Sequence, residues 1–138
     1  MKQAFDTILI KTQGPGLYEC SDAVRGFVHS SGIESGLLSC FIRHTSASLL
    51  IQENADPDVQ RDLCDFFAHI AKEGMGYRHT AEGPDDMPSH IRSALTQTSL
   101  SIPLQKGNMA LGTWQGIYVF EHRKIPHNRT LVLHVIGE

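Results

Sequence analysis

Three apolar runs crowd the last third of the chain, at 99–104, 110–122 and 129–136, with only a turn at Lys106 to Asn108 and a short polar loop between them. A parallel pair needs a crossover of a dozen or more residues, so these strands must run mainly antiparallel. Upstream, strand and helix patterns are interspersed. Residues 2–11 alternate Ala4, Asp6, Ile8 and Ile10 against Phe5, Thr7, Leu9 and Lys11, a strand ended by Gly14, Pro15 and Gly16. Ser21 suits the N-cap of a helix at about 22–31, in which Val24, Phe27 and Val28 recur at helical spacing. Strands are expected at about 37–43 and 47–51. The clearest helix covers 56–71, with Asp56 as N-cap, Pro57 at its first position and a stripe of Val59, Leu63, Phe66, Phe67 and Ile70. Pro88 opens a further helix that ends near Leu95. The pattern is α+β, with a mainly antiparallel sheet and two to three helices.

At 138 residues, with no repeat, low-complexity tract or linker, the chain reads as a single domain over 1–138. A net charge of −3 gives no whole-molecule attraction for nucleic acid or an anionic membrane. The N-terminal apolar run is short and carries Asp6 and Lys11, so neither a signal peptide nor a membrane span is expected there. Cys20, Cys40 and Cys64 are odd in number, lack a CxxC pair and read as reduced packing residues, which implies a reducing, cytoplasmic setting. Eight histidines make imidazole the most promising reagent for site chemistry.

Three segments concentrate polar side chains. In the first, His44, Thr45, Ser46 and Ser48 sit where an apolar strand meets a turn, and Gln52, Glu53, Asn54 and Asp56 follow at a helix start, where free amides bind anions. Asp56 equally reads as a simple cap. The second runs from Tyr77 and His79 to Asp85, Asp86, Pro88 and His90, inside a stretch from Lys72 to Met87 that is too long for a simple connector. With Pro88 at the first helical position, His90 falls in the first turn, where the helix dipole favours neutral, metal-binding imidazole. The adjacent aspartates either orient a ligating histidine, hold a cation themselves or cap the helix. The third is the central strand 110–122. Gly112 and Gly116 there mark a bulge or a close approach, Trp114 beside Gln115 reads as core or as a pocket wall, and Glu121 needs a partner from Arg129, Arg123 or Lys124.

His44-Thr45-Ser46-Ala47-Ser48-Leu49, Glu53-Asn54-Ala55-Asp56-Pro57, Tyr77 with His79, Asp85-Asp86-Met87-Pro88-Ser89-His90-Ile91, Leu111-Gly112-Thr113-Trp114-Gln115-Gly116-Ile117 and the ending Gly137-Glu138 together resemble the YjbQ family, in register over nearly the whole chain. The resemblance implies an α+β fold on a single strongly curved sheet, half-barrel or sandwich-like, a homotrimer, and a weak secondary thiamine-phosphate synthase activity that joins a thiazole phosphate to an aminopyrimidine diphosphate. It implies His44, His79 and His90 as ligands of one divalent metal and Glu53, Asn54 and Asp86 as catalytic groups. Thr45, Ser46, Trp114, Gln115 and Arg129 are then expected to bind a small phosphorylated substrate or anion. Where the family commonly has adjacent arginines, this chain has Arg129 followed by Thr130.

Three histidines are the usual bed for zinc or a similar transition metal, whereas carboxylates suit magnesium. Two further functions therefore stand beside the transferase. One is a metal-dependent hydrolase with Glu53 as general base, and the other is a non-catalytic trimer that binds a small anion. The remaining histidines, His29, His69, His122, His127 and His134, are assigned to packing or surface.

Overall fold

A computed structural model describes residues 1–138. The chain runs β1 (Lys2–Thr12), β2 (Gly16–Glu19), α1 (Ser21–Ser31), β3 (Ser35–Ile42), β4 (Ala47–Glu53), α2 (Pro57–Ile70), α3 (Asp86–Leu95), β5 (Ser99–Gln105), β6 (Asn108–Met109), β7 (Gln115–Glu121) and β8 (His127–Gly137). Every strand pairing is antiparallel.

The strands form a curled five-stranded sheet, ordered β1-β8-β3-β5-β6, and a small second sheet, β2-β7-β4. The expected strongly curved, mainly antiparallel sheet is present, and a small second sheet accompanies it. The physical reason lies at 110–114, which was expected to extend β7 but leaves the ladder. There the Gln115 amide donates to the Gly112 carbonyl and the Gly112 amide donates back to Gln115 Oε1, so the chain turns and delivers β7 to a separate sheet. Trp114 lies in that turn and is 62% exposed, so it is not a core residue.

Both sheets face one core. Leu38, Cys40 and Ile42 of β3, Leu131, Leu133 and Val135 of β8, and Leu49, Ile117 and Val119 of the small sheet meet Val24, Phe27 and Val28 of α1. The opposite face of β7 is covered by α2, where Phe67 meets Phe120 edge-on at 5.3 Å and Gln60 donates to the Tyr118 hydroxyl. Burial on both faces explains why β7 is apolar at consecutive positions rather than alternating. α2 carries the expected cap, Asp56 accepting from the Asp58 amide at 2.9 Å, although Phe66 and Ile70 of its apolar stripe remain exposed.

Ser21 is the first residue of α1 and not its cap. Its hydroxyl instead lies 2.8 Å from Glu19 Oε2 and accepts from the Ile117 amide, tying the helix start to β7. The three cysteines are unpaired, and burial pushes the thiols of Cys20 and Cys40 up to about 12. No helix is long and apolar enough to cross a membrane.

Where Gly36 faces Gly137, β3 and β8 leave no room for a side chain on either residue. A Cβ on Gly137 would collide with the Ser35 carbonyl oxygen and lie 2.7 Å from Gly36 Cα. Because both obstacles are backbone, Gly137→Ala is expected to cost about 3 kcal/mol, the upper end of the overpacking range, measured as a drop in the denaturation midpoint. An unchanged midpoint would contradict this packing.

Candidate functional site

α3 starts two residues before Pro88. Proline is accommodated at the third helical position because amides of the first turn have no acceptor within the helix. The expected placement of His90 in the first turn is therefore corrected: it lies two positions further in, at the start of the second turn. Asp86 and His90, four apart, consequently share one helix face.

The loop after α2 brings His79 to the same face. Asp86 Oδ2 lies 2.7 Å from His79 Nε2 and 3.1 Å from His90 Nε2, and the three ligand atoms fall within 4.8 Å of one another. The other ring nitrogen of His90, Nδ1, donates to the Thr45 carbonyl at 2.9 Å, which fixes the ring with Nε2 directed at Asp86.

Behind the aspartates stands Arg123, just past β7. Its Nη1 donates to Asp86 Oδ1 at 2.7 Å and its Nε to Asp85 Oδ2 at 3.1 Å, while the Lys124 amide also donates to Asp85 Oδ2. The Ser89 hydroxyl, within hydrogen-bond reach of the Asp85 and His122 carbonyls, pins α3 to the same segment. Burial alone would raise the pKa of Asp86, but the His79 hydrogen bond and the facing His90 and Arg123 outweigh it and hold the group below the usual carboxylate range. Asp85 is likewise held down, by the Lys124 amide and Arg123 against the opposing effect of burial.

His44 stands outside this cluster. Its Nε2 accepts from the Thr130 amide at 2.8 Å, and its Nδ1 lies 3.4 Å from Arg129 Nη1. Partial burial and the Arg129 charge lower its pKa. Arg129 is buried and engages Glu121 through Nε at 2.7 Å and Nη2 at 2.5 Å, with Nη2 also reaching Ser46 Oγ at 3.0 Å. Of the three cations offered to Glu121 by the sequence, Arg129 is the one that pairs with it. Arg123 and Lys124 are drawn to acidic groups elsewhere.

The remaining expected site residues gather at the far end of the small sheet. Ala47 pairs with Glu121 whereas Glu53 pairs with Gln115, six residues and roughly 20 Å along the strand. Asn54 continues the ladder there, its backbone amide donating to the Trp114 carbonyl. Gly116 marks a close approach, since a Cβ on it would lie 2.8 Å from Glu19 Oε2 and 3.2 Å from Asn54 Cβ. Within one chain, then, Glu53, Asn54, Trp114 and Gln115 form one polar end, and Thr45, Ser46, His79, Asp86, His90 and Arg129 belong to the other.

Arg123 was not singled out as a site residue by the sequence. The signal was available: two adjacent aspartates at a helix start repel each other and call for a cation. His122, set aside as a strand residue, lies just beyond β7 and is fully buried, its Nε2 2.9 Å from Ser48 Oγ, and burial pushes its pKa down to about 3. His127, expected in a turn, is the first residue of β8.

Comparison with known proteins places these features in context. The family described as UPF0047 protein YjbQ-like matches residues 6–138. A UPF0047 protein of Synechocystis is 52% identical over 99% of this chain and 94% of its own length, and the UPF0047 protein YjbQ of Escherichia coli O157:H7 is 38% identical over 96% of each. Among solved structures, a YjbQ/UPF0047 family protein of Clostridium acetobutylicum superposes with a TM-score of 0.89 at 32% identity, covering 95% of this chain and 99% of that one. A YbjQ-like protein of unknown function from Sulfolobus solfataricus, 21% identical and covering 99% of both chains, shares the fold with a TM-score of 0.91.

Proposed function

The chain belongs to the YjbQ-like UPF0047 family, and on that premise we propose that it is a metal-dependent hydrolase whose divalent ion is held by His79, Asp86 and His90. The observation that carries this is the convergence of two imidazole nitrogens and one carboxylate oxygen on a single point. The donor set fits. Donors on a tetrahedral ion with bonds of about 2.0–2.1 Å lie roughly 3.3 Å apart, so the separations of 2.7 and 3.1 Å would open slightly around an ion while the two imidazole nitrogens, within 4.8 Å of each other, would settle to the same spacing.

Two imidazoles with one carboxylate favour zinc or a similar transition metal over magnesium, which prefers oxygen ligands. Such an ion supplies Lewis acidity toward a carbonyl or phosphoryl oxygen and activates water. The protein's own groups do the rest. Thr45 fixes the His90 tautomer through its carbonyl, and Arg123 holds Asp86 Oδ1 so that Oδ2 faces the histidines. In hydrolysis, water adds to the ester centre, the bond to the leaving oxygen breaks, and that oxygen departs with a proton.

Joining a thiazole phosphate to an aminopyrimidine diphosphate, the transfer implied by the family resemblance, asks instead for neutralisation of departing diphosphate, for which magnesium on carboxylates is the better device. Metal analysis and activity separate the two. Purified protein is expected to carry about one zinc-like ion per chain and to hydrolyse p-nitrophenyl acetate or phosphate, with loss on chelation and recovery on zinc addition. Thiamine phosphate formed from both precursors with magnesium alone, and no ester hydrolysis, would overturn the hydrolase in favour of the transferase.

Self-association into a homotrimer is part of the same proposal. The outer face of the five-stranded sheet is uncovered and exposes Phe5, Leu9, Leu37, Phe41 and Ile136, more contiguous apolar surface than isolated surface residues explain. Another copy would also be needed to bring the end containing Glu53 and Asn54 to the histidines. Light scattering is expected to give three times the 15.3 kDa chain mass, and Leu9→Glu to give the monomer. A monomeric wild type would exclude the trimer.

A further inference from the structure

We propose that the cavity enclosed by α2, α3 and β7 is a binding site for a small neutral hydroxy-aromatic molecule, with His122 Nδ1 accepting the hydrogen of its hydroxyl. The inference begins with hydrogen positions. His122 is 1% exposed, and no protein group meets its Nδ1. Its Nε2 lies 2.9 Å from Ser48 Oγ, which lies 2.6 Å from Thr96 Oγ1, and that second hydroxyl is 2.8 Å from the Arg92 carbonyl. A carbonyl can only accept, so Thr96 gives it its single hydrogen, Ser48 donates to Thr96, and His122 Nε2 donates to Ser48. The reverse order would bury an N–H on Nδ1 without an acceptor, which native structures avoid more strictly than an unmet lone pair. Nδ1 therefore carries the lone pair. Burial and the nearby Arg92 charge push the pKa of the ring down to about 3, so the lone pair stays free at neutral pH.

The cavity, of about 390 Å³, has the size of a small-molecule site and is lined by Cys64 and Phe67 of α2, Pro88 and Arg92 of α3, and Phe120 and His122. Three of these side chains make one aromatic wall. Phe67 meets Phe120 edge-on at 5.3 Å, and the Phe120 and His122 ring centres are 4.4 Å apart. A wall of this kind favours a ring that packs against it edge-on or offset. The polar groups decide the charge of the ligand. Arg92 Nε and Nη2 donate to the Phe67 and Ala71 carbonyls at the end of α2, which fixes the guanidinium beside the cavity and disfavours a cationic donor. An anionic group would face the Nδ1 lone pair and is repelled, so a neutral hydroxyl is the group that fits. Lys124 and Glu73, also on the cavity wall, already neutralise each other at 2.5 Å. Pro88 and Arg92 lie on the opposite side of α3 from Asp86 and His90, because residues two apart on a helix point away from each other. The cavity thus shares no residue with the proposed metal ligands and does not depend on the hydrolase.

Titration of phenol into the full chain, followed by amide chemical shifts, tests this, with toluene as the same ring lacking the hydroxyl. Wild type is expected to bind phenol saturably and about tenfold tighter than toluene, the difference that one hydrogen bond makes. Phenol should also slow the alkylation of Cys64 by iodoacetamide, since Cys64 lines the cavity whereas Cys20 and Cys40 are buried in the core. In His122→Gln the side-chain amide nitrogen still reaches Ser48 but the Nδ1 acceptor is gone, so phenol is expected to bind no better than toluene. Equal affinity of wild type for the two, a phenol preference kept by His122→Gln, unprotected Cys64, or no saturable binding at millimolar phenol would overturn the site. None of those results touches metal binding by His79, Asp86 and His90, and a protein that binds phenol but no metal would sink the hydrolase alone. Should His122→Gln fail to fold, the ring-nitrogen resonances of His122 in the wild type decide. Unprotonated Nδ1 that shifts with phenol and not with toluene supports the site, and protonated Nδ1 or no shift excludes it.

Discussion

Glu121→Ala is expected to lower stability by about 3–5 kcal/mol, because it leaves the Arg129 guanidinium buried without its counter-charge. Glu121 is fully buried, and its two oxygens accept from Arg129, Thr12 and the His122 and Arg123 amides. Pairing Glu121→Ala with Arg129→Met should recover most of the loss, since the apolar pair leaves no charge stranded. Denaturant midpoints of the two single variants and the double variant measure this, and additive losses would contradict it. Acid dependence follows from the same carboxylate. Burial alone would raise its pKa, but the bonds from Arg129, Thr12 and the Arg123 amide outweigh burial and lower it. The folded protein then binds fewer protons than the unfolded chain, and stability rises with pH. The contribution is complete above the unfolded value of about 4.3 and is lost as pH falls from there through the depressed folded value. Glu121→Gln should flatten that acid limb while leaving the profile above pH 5 parallel to wild type.

Asp86→Asn is expected to empty the proposed metal site without unfolding the protein. The amide keeps the size of the carboxylate and its oxygen can still accept from a ring nitrogen that Asp86 Oδ2 now faces at 2.7 or 3.1 Å, but the anionic ligand is gone. Bound zinc should fall from about one ion per chain to near none. Arg123→Gln should act more gently, because Arg123 orients Asp86 through Oδ1 rather than meeting the ion, and partners of that kind change metal affinity about 10–100-fold. Competition with a chelator measures both variants against wild type. Undiminished zinc in Asp86→Asn would remove Asp86 from the ligand set, and an Arg123→Gln affinity equal to wild type would show that Asp86 needs no orienting partner.

Where structure depends on neighbours in sequence, local pattern and fold agree. Asp56 and Pro57 begin α2 because a carboxylate cap and a preset φ act within one turn. β1 and β8 follow their alternation. Local signals misled where a tertiary contact competed. Pro88 looked like a helix start, yet α3 begins at Asp86, where Arg123 and the Lys124 amide from another segment hold the aspartates. Ser21 looked like a cap, but its hydroxyl serves Glu19 and the Ile117 amide. The run 110–122 looked like one strand because apolarity does not reveal the Gly112–Gln115 hydrogen bonds that turn the chain.

The candidate site divides the same way. The polar segments were visible because imidazoles, hydroxyls and acids at element ends stand out from an apolar background. Asp86 with His90 was readable as a helical pair at a spacing of four, once the helix start was placed correctly. Which segments meet was not readable, since the antiparallel register of β4 on β7 puts Glu53 at one end of the small sheet and Thr45 beside the other.

By itself the sequence determined the antiparallel strands, the helix over Pro57–Ile70, the family and the requirement that Glu121 find a cation, all consequences of chain length between elements, local periodicity and the cost of burying charge. Only the tertiary structure decided that the cation is Arg129, that His79 and His90 share Asp86 while His44 turns to Thr130, and that two sheets divide the strands. Those outcomes depend on contacts between residues tens of positions apart, whose distances are set by strand register and helix packing rather than by any local pattern.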